Sequence, residues 1–139
     1  MKHSVLFLCV TNGIQSPIAE ALLNALDSEH FDVVSAGIVR GETHAMTVEV
    51  MKEVGVDLEG RATRSIQEVL DRAFDFVITL CDRARIECPK FSRAEVVHWH
   101  FENPPTALDE TQQRRMFRAM RDQIAQRVRL FALVQARSA

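Results

Sequence analysis

Ser4-Val5-Leu6-Phe7-Leu8-Cys9-Val10-Thr11-Asn12-Gly13-Ile14-Gln15-Ser16-Pro17 runs from an apolar, β-leaning segment through a turn into the start of a helix. A short continuous apolar run fits a buried strand, and Thr11-Asn12-Gly13 ends it. Ser16 can cap the helix beyond the turn, Pro17 suits its first position, and Glu20 places negative charge where the helix dipole favours it. Strand, loop and helix in that order let the backbone N–H groups of Val10, Thr11, Asn12, Gly13, Ile14, Gln15 and Ser16 converge on an anion. Cys9 stands at the start of that loop. A helix N-terminus favours the thiolate, the reactive form, whereas a cysteine at a strand end can equally be a small buried residue.

The first helix is expected to reach about Leu26. A second strand spans Phe31 to Ala36 and meets Gly37, and a helix centred on Thr47 to Val54 stops at Gly55. Ser65 to Arg72 reads as a short helix, Phe74 to Leu80 as a buried strand, and Glu95 to Trp99 as a strand leading into Asn103-Pro104-Pro105. Leu108 to about Gln135 is one long helix, with Met116, Met120, Ile124, Val128 and Phe131 as its core face and Arg114, Arg115, Arg118, Arg121 and Arg127 on its solvated side. The alternation predicts a three-layer α/β fold, a four-stranded parallel twisted sheet flanked by about five helices. Ligands in such sheets bind beyond the carboxyl ends of the strands. Cys9, Cys81 and the Asn103 loop all come directly after strands and can share that rim.

The 139 residues fit a single domain over 1–139, and a 47% hydrophobic share supplies one core. The 17 Lys+Arg and 19 Asp+Glu are interspersed, for a net charge of -2, so no nucleic-acid footprint is expected. Val5 to Val10 is too short to span a bilayer and the start lacks signal-peptide features, so no membrane partner and a cytoplasmic location are expected. Three cysteines, Cys9, Cys81 and Cys88, in a reducing compartment leave catalysis, redox exchange or plain burial open. Six residues separate Cys81 from Cys88 and the histidines show no finger-type spacing, so no metal site is expected.

Leu6-Phe7-Leu8-Cys9 through Asn12, Ser16 and Ala19-Glu20, with Ser35-Ala36-Gly37 and Met51-Lys52-Glu53-Val54-Gly55 at the expected distances, resembles the low-molecular-weight protein tyrosine phosphatases and, more closely, the thioredoxin-coupled arsenate reductases that share their fold. Thr79-Leu80-Cys81 with Cys88-Pro89 resembles the reductase branch specifically. The resemblance implies a small oxyanion (arsenate, phosphate or sulfate) in the loop, thioredoxin or a similar reductant as partner, and no cofactor. It also implies a relay. Cys9 attacks arsenic, Cys81 attacks Cys9 and releases arsenite, and Cys88 attacks Cys81, leaving a disulfide for the reductant. The segment Asp82-Arg83-Ala84-Arg85-Ile86-Glu87 is polar enough to be mobile between the two thiols, and Arg83 and Arg85 are expected to lower their pKa values.

Two positions depart from the family pattern. Where the family has its loop arginine this chain has Gln15, which donates hydrogen bonds but cannot form a charged bidentate clamp. Losing one preorganised donor typically costs about 10² to 10³ in rate. Arg40, Arg61 and Arg64 are the candidates to reach in instead. Where the family has an acid aspartate this chain has Asn103, so leaving-group protonation would fall to Glu102, His98, His100 or water. Asn12, Glu20 and Ser35 match positions that bind potassium in some arsenate reductases, but Arg64 occupies the remaining carboxylate position, so no ion is expected. The alternatives are a phosphatase, or an impaired oxyanion-binding or redox-sensing pseudo-enzyme.

Overall fold

The computed structural model describes residues 2–138. Its strands are β1 (His3–Cys9), β2 (Phe31–Gly37), β3 (Phe76–Thr79) and β4 (Glu95–His98), all parallel and in the order β2-β1-β3-β4. The helices are α1 (Gln15–Asp27), α2 (Ala45–Lys52), α3 (Asp82–Glu87) and α4 (Glu110–Gln135), with 3-10 turns at Ile66–Glu68 and Ala136–Ser138. The α/β class and the four-stranded parallel sheet are as expected.

The period-2 geometry of β1 divides the core. Val5, Phe7 and Cys9 point to one face, where they join Ile18 and Leu23 of α1, Val50 and Met51 of α2, and Phe117, Met120, Ile124 and Val128 of α4. Leu6 and Leu8 point to the other, against Ile66, Val69, Phe74, Val77 and Ala84. Both faces are covered, which is why β1 is continuously apolar instead of alternating. The consequence for function is placement. β1 is internal, β3 is its neighbour, and Cys9 and Cys81 therefore emerge from adjacent strand ends.

Several elements differ from expectation. α1 begins at Gln15, so the cap position falls on the apolar Ile14 and goes without a side-chain cap, while Ser16, the expected cap, lies inside the helix with its hydroxyl turned to Cys9. α2 begins at Ala45, capped by the His44 ring, whose Nδ1 accepts from the Met46 amide at 3.0 Å. Ser65 to Arg72 forms only the Ile66–Glu68 turn, closed by a capping box between Ser65 and Glu68. β3 is shorter at both ends than the expected Phe74 to Leu80. The segment 82–87 is the helix α3 and not an irregular linker.

On α4 the buried stripe is Phe117, Met120, Ile124, Val128 and Ala132, while Met116 is exposed and Phe131 only packs at the edge. Nor is its arginine row simply solvated. Arg118 and Arg121 both grip Glu53 at the end of α2, Arg121 also donates to the Val50 carbonyl at 2.9 Å, Arg114 pairs with Glu49, and Arg127 lies over the Trp99 ring at 5.3 Å. Glu53 is held down at about 2, first by its hydrogen bonds from Arg118 and then by those from Arg121.

Candidate active site

The loop is held open from outside. The carbonyls of Cys9, Val10, Thr11 and Gly13 accept from the amides of Ile38, Val39, Gly41 and His44 at 2.9–3.1 Å. With its carbonyls turned toward the 38–44 segment, the loop has its amides free to face inward. Among the described residues none of the amides of Val10 to Ile14 donates to a protein acceptor. Those amides and the uncapped first turn of α1 are backbone donors that follow Cys9 in the chain, the kind of group an oxyanion can use. The loop presses so closely on β2 that a Cβ on Gly37 would stand 2.5 Å from the Thr11 carbonyl carbon and 2.7 Å from the Asn12 nitrogen.

Cys9 is buried, with Sγ 2.9 Å from Ser16 Oγ. A directed chain of hydrogen bonds stands behind it. Ser35 donates to Glu20, so its oxygen accepts from Asn12 Nδ2 at 2.8 Å; the same amide group donates to Ser16 Oγ at 2.8 Å. The Ser16 proton is thereby left for the Cys9 sulfur or, at 3.5 Å, the Ala36 carbonyl. Asn12 can serve as the hub because it is fully buried and takes a left-handed conformation, φ 62°, which asparagine tolerates better than most residues.

Beneath Asn12 sits a guanidinium. Arg61 donates to the Asn12 carbonyl at 3.1 Å, to Asn12 Oδ1 at 2.9 Å and to Ser35 Oγ at 2.9 Å, and it lies 3.7 Å from Glu20. Burial lowers its pKa from the ordinary arginine value, opposed by the Glu20 charge. It is delivered by the 61–65 segment, which bridges to Gly37 and gives the Arg64 amide to Asn12 Oδ1 at 2.9 Å. Arg61, and not Arg64, thus occupies the space among Asn12, Glu20 and Ser35. The Arg64 side chain donates to the Ser35 carbonyl at 3.2 Å, and Arg40 pairs with Glu68. Each of the three candidate arginines is engaged away from the mouth of the loop. Gln15 does not stand in for them either. It is buried, and Nε2 donates to the Phe101 carbonyl at 2.6 Å, which commits it to the segment after β4.

Cys81 and Cys88 are half-buried thiols at the two ends of α3. Burial pushes Cys81 up from its ordinary value against the pull of the Ala84 amide, and the Cys9 sulfur is near enough to push it further the same way. Burial also pushes Cys88 up. The Arg83 amide pulls Cys81 down, but neither guanidinium does so as expected: Arg83 pairs with Glu87 and Arg85 with Asp82. Cys88 lines a groove of about 690 Å³ with Leu70, Arg72, Arg85, Lys90 and Phe91.

Phe101 is fixed to the rim, its amide donating to the Leu80 carbonyl at 3.0 Å and its carbonyl accepting from Gln15. Asn103, two residues on, is exposed and lines a cleft of about 500 Å³ with Met116, Met120 and Gln123. Among the described residues no hydrogen bond joins it to the loop. Sequence reasoning missed the role of Arg61 beneath Asn12 and the capping by His44. It also missed that His98 and His100 gather around Asp82.

Comparison with known proteins agrees with this geometry. Residues 4–138 match the family described as low molecular weight phosphotyrosine protein phosphatase. An arsenate reductase of Halalkalibacterium halodurans is 35% identical, covering 94% of this chain and 96% of its own. One of Oceanobacillus iheyensis is 33% identical over 94% and 96%. Among solved structures, an arsenate reductase in the phosphate binding state superposes with a TM-score of 0.80 at 28% identity, covering 94% of this chain and 96% of that one. The thioredoxin-dependent arsenate reductase of Corynebacterium glutamicum gives 0.76 at 26% identity, over 99% of this chain and 63% of that one. Among the described residues no helix is long and apolar enough to cross a membrane.

Proposed function

Since this chain belongs to the low molecular weight phosphotyrosine protein phosphatase family, we propose that it reduces arsenate to arsenite by a thiol relay through Cys9, Cys81 and Cys88. The observation that supports the reading is that Cys9, at the end of β1, and Cys81, just past β3, leave neighbouring parallel strands at the same edge of the sheet. In the first step the Cys9 thiolate attacks arsenic(V) and an oxygen leaves as water, giving a sulfur–arsenic bond. The Cys81 thiolate then attacks the Cys9 sulfur. The sulfur–arsenic bond breaks, its electron pair stays on arsenic, and arsenite departs as Cys9 and Cys81 become a disulfide. Cys88 attacks Cys81, releases Cys9 as thiolate, and closes a Cys81–Cys88 disulfide that a dithiol such as thioredoxin reduces.

That last disulfide requires α3 to unwind. Seven residue steps along a helix rise about 10 Å, whereas disulfide-bonded Cα atoms lie about 4.4–6.8 Å apart. α3 is suited to melting: it has six residues, one buried side chain, and exposed ion pairs of small worth. The groove beside Cys88, with apolar and basic walls, gives a reductant access. A reducing cytoplasm is the compartment in which such thiols stay free.

Thioredoxin-coupled NADPH oxidation on adding arsenate tests the proposal, and Cys9→Ser, Cys81→Ser and Cys88→Ser should each abolish it. No oxidation at millimolar arsenate rejects it. The commitment of Gln15 to Phe101 favours one competing reading, an impaired enzyme that senses oxidation. Restoring Gln15→Arg with Asn103→Asp separates the two, because only a decayed site gains strongly from it. Hydrolysis of an aryl phosphate suits the site least, for want of an acid at position 103.

A further inference from the structure

Beside the relay, Asp82, His98 and His100 turn three ligand atoms toward a common point. Asp82 Oδ1 lies 3.4 Å from His98 Nε2 and 3.5 Å from His100 Nδ1, and all three atoms lie within 4.8 Å of one another. Around a tetrahedral ion with bonds of about 2.0–2.1 Å, neighbouring ligand atoms stand roughly 3.4 Å apart. The two measured separations already match that spacing.

A second observation concerns the support of the His98 ring. The Thr79 hydroxyl is fully buried at the end of β3, is directed to the Val97 carbonyl at 3.5 Å, and stands 2.7 Å from His98 Nδ1. This contact holds the ring from behind on its Nδ1 side and leaves Nε2 turned toward Asp82. A ring nitrogen fixed from behind so that its partner is free is how proteins orient a histidine ligand. His98 and His100 alternate on the extended chain leaving β4, which puts them on one side. Asp82 arrives from a different element, the first residue of α3.

We propose that Asp82, His98 and His100 bind one late first-row divalent cation of the zinc class, leaving a coordination position open to solvent. Two imidazoles and a carboxylate suit such an ion and suit magnesium or calcium poorly. The ion clips the first residue of α3, next to Cys81, to the end of β4. This regulatory consequence rests on the relay proposed above, since an α3 pinned at its start unwinds less readily and closes the Cys81–Cys88 disulfide more slowly. The binding itself does not rest on the relay.

Cobalt(II) titration of the reduced whole chain tests the site. The expected result is one equivalent of cobalt with the intense visible absorption of a tetrahedral centre, displaced by zinc. Affinity should fall by about tenfold or more in Asp82→Asn and His100→Gln. Thr79→Val, which removes only the supporting hydroxyl, should also weaken binding, by about 10- to 100-fold. The absorption should persist without thiolate-to-cobalt charge transfer in Cys81→Ser/Cys88→Ser. Absence of uptake, uptake that disappears with the cysteines, or indifference to Asp82 and His100 overturns the site. Zinc should then slow diamide-driven Cys81–Cys88 disulfide formation several-fold in the wild-type chain and leave it unchanged in His100→Gln. An equal rate with and without bound zinc overturns the clip and keeps the site. A metal-free chain that never forms the disulfide counts against the relay alone.

Discussion

Arg61 is the residue on which the candidate site leans without its being part of the loop. Its guanidinium meets the backbone and side chain of Asn12, the Ser35 hydroxyl and the Glu20 carboxylate, so it sets the hub that hands a proton donor to Cys9 through Ser16. Removing it leaves Asn12 Oδ1 with the Arg64 amide and Glu20 with the Ser35 hydroxyl, and takes the cation from beside a mostly buried carboxylate. Arg61→Gln is expected to destabilise the fold by about 1.5–3 kcal/mol, the usual range for a hydrogen bond to a charged group, read as a lower urea midpoint. It should also slow alkylation of Cys9 by iodoacetamide. Arg61→Lys keeps charge but not the fork, and should recover stability in part and the Cys9 rate less. A variant with both readouts at wild-type values would show that the guanidinium only fills space.

At the scale of elements, two couplings make opposite demands. α2 and α4 are fastened by Glu53 with Arg118 and Arg121. Because the Glu53 carboxyl is held at about 2, below its unfolded value of 4.5, it contributes stability above pH 4.5 that is lost as pH falls from there toward 2. Glu53→Gln should lower the melting temperature near neutrality and flatten its decline across that acid window, seen in melts taken at stepped pH. α3 is by contrast built to come apart. Burial raises both of its flanking thiols, so few are thiolates at neutral pH, and the attacking form grows as pH climbs. Disulfide closure between Cys81 and Cys88 is expected to accelerate steadily to pH 9 and beyond, measured by stopped alkylation and mass spectrometry; a rate flat above pH 7 would contradict the raised thiols. Elements differ in how openly the sequence declares them. β1 and α1 are legible because Leu6-Phe7-Leu8 and the Pro17 start are local signals. α3 is not, since Asp82 to Glu87 has a polar surface whose single anchor, Ala84, declares itself only once it meets the core. Met116 and Phe117 are neighbours in a helical stripe wide enough to admit either, so the pattern points one position away from the side chain that is buried.

Across the whole molecule, the parallel sheet brings distant positions to one rim, and this is where pattern reading stops. Cys9, Cys81 and the Asn103 loop are each marked in the sequence by standing just after a strand, and strand order brings Cys9 and Cys81 to the ends of neighbouring strands. Arg61 beneath Asn12, and Asp82 against His98 and His100, join residues far apart in the chain through side-chain directions that no spacing encodes. The rim stands on the centre of the sheet. Phe7 is fully buried there, with its ring 5.8 Å from that of Trp99, one residue past β4. Phe7→Ala is expected to cost about 3–5 kcal/mol, and because the loss lies at the junction of both thiol-bearing strands it should lower stability and Cys9 reactivity together; a purely local cavity would lower the first alone.

Gly37 has a consequence for the energetics of recognition. With backbone resting on backbone and no methylene between them, the cradle is stiff before a guest arrives. An oxyanion entering it has little chain to order and little apolar surface to remove from water. Calorimetry of phosphate or arsenate binding should therefore give a heat-capacity change close to zero, whereas a loop that gathers itself around the ion would give a clearly negative one.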